Sequence, residues 1–216
     1  KNITTGEGGM VVTDDAEVAA EVRTLSLHGM SKDAWNRYSS EGSWYYEVVA
    51  PGFKANMTDI QAALGIRQLE RLDEFLETRR QLAARYDEVL ADIPQVRLPI
   101  RRQGRDHVFH LYVIRLQTGN MPIDRSEFIS RLRDHNIGTS VHFIPVHCHP
   151  YYRDRYGYEP SDLPSAERLY EQIVSLPLYP KMTTEDIDYV AAVVRGTVAT
   201  DGSPSQSKEG VHLEAT

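Results

Sequence analysis

The strongest constraint on the fold is an apolar stripe at helical spacing that opens at Asn56-Met57-Thr58-Asp59-Ile60-Gln61 and closes before Pro94. Thr58 and Gln61 stand three residues apart, as in a capping box, where a hydroxyl accepts from a backbone N–H and the later side chain reaches back to the cap. Apolar residues then recur from Ile60, Ala63 and Leu64, through Leu72, Phe75 and Leu76, to Leu82, Ala83, Tyr86, Val89 and Leu90, the repeat that lays one helix face on a core. Unbroken, such a helix would be about 50 Å long at 1.5 Å per residue. A bend or break is therefore expected between Gly65 and Leu72, where the chain passes from one domain to the next.

Ahead of the stripe, Met10 to Thr13 reads as the end of a strand, and Asp14-Asp15 supply a cap and first-turn acids for a helix ending by Gly29. From Leu27 to Gly52 no period holds, and Trp35, Tyr38, Trp44, Tyr45 and Tyr46 sit among polar residues. A long aromatic loop inside a compact domain reads as a lid or an interface segment. Behind the stripe the pattern is α+β. Val108 to Leu116 and Ile137 to Ile144 have strand composition, and Asp124 with Glu127 caps a helix through His135. A break spans about 147–164, a helix runs from Ser165 to Val174, Ser175 to Pro180 forms a loop, and a capped helix covers Thr184 to Arg195.

Composition removes several classes of function. The 216 residues carry a formal charge of −7, which argues against a general nucleic-acid binder, whose affinity comes from clustered Lys and Arg on phosphates. No run approaches the roughly 18 apolar residues of a membrane span, and no secretory leader is expected, since Lys1 onward does not read as a basic region followed by an apolar one. Cys148 is the one cysteine, so no intrachain disulfide forms and a reducing, cytoplasmic setting is expected.

The chemistry concentrates at Lys1-Asn2-Ile3-Thr4-Thr5-Gly6-Glu7-Gly8-Gly9. A primary amine condenses with a carbonyl as its free base, and glycines let backbone pass close to a flat ring. This stretch resembles the K-N-[IL]-[TS]-[TC]-[GA]-E-G-G pattern of the DegT/DnrJ/EryC1/StrS sugar aminotransferases, whose lysine forms a Schiff base with pyridoxal 5′-phosphate (PLP). Further segments match in order: Leu27-His28-Gly29, then Pro51-Gly52-Phe53-Lys54-Ala55-Asn56-Met57-Thr58-Asp59-Ile60-Gln61, then Ile137-Gly138-Thr139 with His142-Phe143, and Ser175-Leu176-Pro177-Leu178-Tyr179-Pro180.

The resemblance implies a fold type I PLP-dependent transferase of α/β class, represented by its C-terminal portion. Residues 1–71 would close the PLP-binding large domain, 72–198 form a smaller α+β domain, and 199–216 a disordered tail. The expected reaction moves an amino group from an amino acid, by resemblance glutamate, to a keto group of a nucleotide-linked sugar. Lys1 is the expected catalytic residue. Lys54 and Asn56, which follow the variant of members forming 4-amino-4-deoxy-L-arabinose, are expected at the cofactor, with Lys54 reaching a partner's cofactor phosphate across a homodimer. His142, Phe143, Trp35 and Tyr38 are expected at the sugar nucleotide. The half that holds the remaining cofactor ligands is expected to precede Lys1 in a longer polypeptide.

Three other readings compete. A metal could sit on His142, His147, Cys148 and His149, but their H-x4-H-C-H spacing fits no common zinc pattern, so no metal is expected. A dehydrating relative would carry histidine where Lys1 stands. A PLP-fold relative or half-enzyme that binds ligand without transaminating remains as the third.

Overall fold

The computed structural model describes residues 1–31 and 45–199. The segment holding Trp35 and Tyr38, and the tail beyond residue 199, lie outside the described residues. The chain forms two compact units, one of Ile3–Leu72 together with Lys1, the other from Asp73 onward together with Asn2.

The first unit holds two helices. Helix α1, Ala16–Ser26, starts where the Asp15 carboxylate accepts from the backbone N–H groups of Glu17 and Val18. It ends as His28 and Gly29 take positive φ and the Gly29 N–H donates to the Thr24 carbonyl at 2.9 Å. Helix α2, Asp59–Glu70, opens with the expected capping box of Thr58 and Gln61. The stripe breaks at Arg71, within the expected interval, and helix α3 runs on from Leu72 to Leu90. Met10 to Thr13 forms no strand: the segment has no regular structure, and Met10 and Val12 are exposed. A strand exists only against a partner's edge, and among the described residues none lies beside it.

In the second unit, a three-stranded antiparallel sheet is ordered β1 (Val96–Arg97), β2 (Tyr112–Leu116), β3 (Ile173–Leu176). Val96 pairs Leu116, and Ile114 pairs Val174. Along β2 the alternation is strict, with Tyr112, Ile114 and Leu116 buried and Val113 and Arg115 on the other face. That inner face packs with Tyr86 and Leu90 of α3, and with Phe128 and Leu132 of helix α4 (Arg125–Asp134). Helix α7 (Thr184–Ala199) contributes Ile187, Val190 and Val194 and packs on α4. The Tyr86 and Tyr112 rings stack at 4.7 Å, and each hydroxyl has a partner: Tyr86 donates to the Pro177 carbonyl at 2.9 Å, Tyr112 to Asp87 at 2.6 Å.

Several expectations needed correction. The strand expected over Ile137–Ile144 is reduced to isolated bridge residues, Ile137 and Ser140, the latter exchanging two hydrogen bonds with Ser175. Strand β3 is four residues long and ends before Pro177, which has no N–H to offer, so its outer edge supports little more. The helix placed over Ser165–Val174 is α6, Pro164–Gln172, and its last expected residues belong instead to β3, as do Ser175 and Leu176 of the expected loop. The expected break at about 147–164 contains helix α5, Pro150–Tyr156, and two short 3-10 turns, Val146–Cys148 and Pro160–Asp162.

One buried cation ties this unit together. Arg79 of α3 is buried, and its Nη1 donates to the carbonyls of Phe109, His110 and Leu178 at 3.2, 3.3 and 2.8 Å. Burial pulls its pKa below the ordinary guanidinium value. Removing the side chain takes the donor from the buried bonds to the Phe109 and Leu178 carbonyls. Arg79→Ala is expected to cost about 3 kcal/mol in urea unfolding, whereas Arg67→Ala, which breaks an exposed pair with Glu70, should change stability by less than about 1 kcal/mol. Equal effects would show that the Arg79 contacts contribute nothing beyond a surface pair.

Candidate functional site

The lysine-bearing segment has no helix or strand of its own and is held by one face of α2. Gln61 uses both ends of its amide: Oε1 accepts from the Thr58 N–H at 3.1 Å, completing the cap, and Nε2 donates to the Glu7 carbonyl at 2.7 Å. Two turns further on, Gln68 Oε1 accepts from the Thr4 N–H at 3.2 Å. Between them lies Gly65, where an added Cβ would stand 3.0 Å from the Thr5 methyl. Positions 61, 65 and 68 share one helix face, so a loop without regular structure is fixed at two points and packed at a third. At Gly8 a Cβ would come within 2.5 Å of Thr5 Oγ1, which accounts for a glycine there. Lys1 is exposed, with no carboxylate partner among the described residues.

A second arm of the same unit carries Lys54. Phe53 donates from its N–H to Leu25 O at 2.7 Å and accepts from His28 N at 2.8 Å, Ala55 N donates to Ser26 O at 2.8 Å, and Lys54 pairs with Leu27. The crossing of the two backbones is too close for side chains. A Cβ on Gly29 would meet Ala50 O at 1.7 Å, and one on Gly52 would meet Gly29 N at 2.1 Å. The Leu27-His28-Gly29 and Pro51-Gly52-Phe53 motifs are thus two sides of one contact. Lys54 and Asn56 are brought together, the ammonium donating to the amide oxygen. Both lie at the surface or near it, and no carboxylate competes for Lys54 among the described residues.

His142 and Phe143 lie in the second unit. His142 Nδ1 is 2.8 Å from the hydroxyl of Ser175, a buried residue of β3. The rings of His142 and Phe143 meet edge to face at 4.6 Å, and Phe143 is 73% exposed. No strand alternation orders His142 and Phe143, because the segment is not a strand. Trp35 and Tyr38 fall outside the described residues.

The four candidate metal ligands are not brought together. His142 engages Ser175, and His149 is exposed at the start of α5. His147 and Cys148 instead meet Glu167 of α6. Glu167 escaped the sequence reading, since its partners lie in another element and no local spacing connects them. Burial, with the hydrogen bond it donates to Glu167, pushes the Cys148 thiol pKa up.

The mixed helix-and-sheet architecture is that of the fold type I PLP-dependent transferases, whose solved members superpose on most of this chain. The chain belongs to the DegT/DnrJ/EryC1/StrS aminotransferase family, which matches residues 1–195. It is similar to the spore coat polysaccharide biosynthesis protein SpsC of Bacillus subtilis (strain 168), with 53% identity over 199 residues, 92% of this chain and 51% of SpsC. Among solved structures it is similar to Spr1654 of Streptococcus pneumoniae, described as a sugar aminotransferase, in its PMP form, at TM-score 0.79 and 32% identity, over 92% of this chain and 50% of that one. It is also similar to PseC of Helicobacter pylori, an aminotransferase involved in the biosynthesis of pseudoaminic acid, at TM-score 0.80 and 28% identity, over 92% and 50%. The chain spans about half the length of the relatives it matches. Among the described residues no helix is long and apolar enough to cross a membrane.

Proposed function

We propose that these residues form part of a PLP-dependent aminotransferase that moves an amino group from an amino-acid donor, by resemblance glutamate, to a keto carbon of a nucleotide-linked sugar. The observation that carries this reading is the docking of the Lys1 segment on α2 through Gln61 and Gln68, in a chain of an aminotransferase family. Spr1654 has been solved in both PLP and PMP forms, the two states of a cofactor that carries an amino group. The name of SpsC favours surface polysaccharide as the destination of the aminated sugar.

The residues present fit the cofactor. Lys1 offers an exposed amine without a carboxylate partner, Gly8 and Gly9 keep the adjoining backbone bare, and Lys54 offers an exposed ammonium held by Asn56. PLP, when bound, supplies the electron sink that makes the substrate's C–H bond acidic. The Lys1 amine would hold the aldehyde carbon and, as a free base, take a proton from one carbon and return it to another. Lys54 would act as a point charge on a phosphate, a role in which an ammonium serves well.

In the complete protein, Lys1→Ala should abolish borohydride-fixed PLP and lower turnover by about 10²–10⁴-fold while leaving the fold intact. Undiminished covalent cofactor in that variant would overturn the assignment.

The same reading makes the working unit a homodimer with shared sites, Lys54 serving the neighbour's cofactor. The support is that Lys54, held by Asn56 and without a carboxylate partner among the described residues, follows a stretch of sequence rich in aromatic residues. Lys1→Ala and Lys54→Ala subunits, each inactive, should regain part of the activity when mixed, because some mixed dimers hold one intact site. No recovery despite verified subunit exchange would rule sharing out.

His142, oriented by Ser175, would donate to a phosphate or hydroxyl of the sugar nucleotide. His142→Gln should raise KM for the sugar nucleotide roughly tenfold, about the worth of one hydrogen bond to a charged group, with the amino-acid half-reaction unchanged. A matched fall of both half-reactions and of thermal stability would make His142 part of the scaffold.

A further inference from the structure

His147, Cys148 and Glu167 form a cluster that the proposed amino transfer does not use. His147 and Cys148 close the turn Val146–Cys148, and Glu167 stands in the first turn of α6. His147 is only 5% exposed, and its Nε2 lies 3.5 Å from Cys148 Sγ and 3.9 Å from Glu167 Oε2. The third side of the triangle, Sγ to Oε2, is 3.3 Å.

Around zinc, bonds of 2.0–2.3 Å place the corners of a tetrahedron about 3.3–3.6 Å apart. Two sides of the triangle have that length, and the third closes by a small turn of a carboxylate whose side chain is 30% exposed. We propose that His147, Cys148 and Glu167 form a three-ligand zinc site with water in the fourth position. A thiolate and a carboxylate together cancel the charge of Zn²⁺, so the site is neutral where burial penalises charge. The thiol, which otherwise donates to Glu167, gives its proton to solvent as the Zn–S bond forms. Nitrogen and sulfur ligands select zinc over magnesium or calcium.

The bound ion would tie the turn to α6 across the connection carrying α5, so its effect is on stability rather than on turnover. The H-x4-H-C-H spacing that set a metal aside runs over His142, His147, Cys148 and His149; only His147 and Cys148 of these belong to the triangle, and its third ligand, Glu167, lies outside that spacing.

The test uses the complete protein, free of histidine tag and chelator. Elemental analysis after equilibration with zinc and desalting should find one zinc per chain, and added zinc should raise Tm. Cobalt in its place should show a thiolate-to-metal charge-transfer band. Cys148→Ser should remove that band, and Cys148→Ser and Glu167→Gln should each weaken zinc binding roughly tenfold or more, as loss of a metal-site group does. PLP absorbance should be unchanged in both variants, which keeps this test separate from the aminotransferase reading. Substoichiometric zinc, zinc content unaltered in both variants, or a cobalt spectrum without the thiolate band would each overturn the proposal.

Discussion

Gln61 is the side chain on which the lysine-bearing segment depends. Its amide oxygen closes the N-terminal cap of α2 while its amide nitrogen takes the Glu7 carbonyl. Helix initiation and loop placement are therefore one event, because the rotamer that completes the cap is the rotamer that reaches the loop. A nonamer rich in glycine and threonine has little reason to hold one conformation, since glycine loses more entropy on ordering than any other residue. Two hydrogen bonds from α2, about two turns apart with the bare Gly65 surface between them, supply the restraint.

Lys54 is positioned by a different device, the exclusion of Cβ atoms. Where Gly29 crosses Gly52, backbone meets backbone at distances that an alanine on either side would violate. The crossing fixes the register of Phe53, Lys54 and Ala55 against the end of α1 through three hydrogen bonds. The segment bearing Lys1 is thus held by glutamine side chains, and Lys54 by a glycine crossing. Neither lysine makes a bond to a carboxylate among the described residues, so neither charge is spent on the scaffold.

What could be read from the sequence was what is decided locally. Asp15, Thr58 with Gln61, and Asp124 each announce a helix within four residues, and each cap is present. The break in the long stripe was likewise foreseeable from helix length. Strands fared worse, for a strand depends on an edge elsewhere. Strand β1 has two residues and is defined only by Arg115 and Leu116 opposite, and Ser175-Leu176 lies in β3 because Tyr112 and Val113 lie beside it. The segment at His142 has strand composition and lacks a long enough partner. The triangle of His147, Cys148 and Glu167 was hidden for the same reason, since only packing joins the turn to α6.

The two units differ in how they are stabilised, and the difference bears on where the lysines sit. Every buried apolar side chain among the described residues falls at or after Leu82, so the described residues of the second unit hold a core and those of the first hold none. In α2, Ile60, Leu64, Ile66 and Leu69 are all exposed, and they point to more than one side of the helix. Helices apolar on several sides are stable in water only when covered, and each such residue gains about 1.5–3 kcal/mol when fully buried. The lysine segment rests on this same helix. Any burial that α2 gains would therefore stabilise the same helix that holds Thr4 and Glu7 through Gln68 and Gln61, so the placement of the lysine segment and the covering of those apolar side chains are tied to one element.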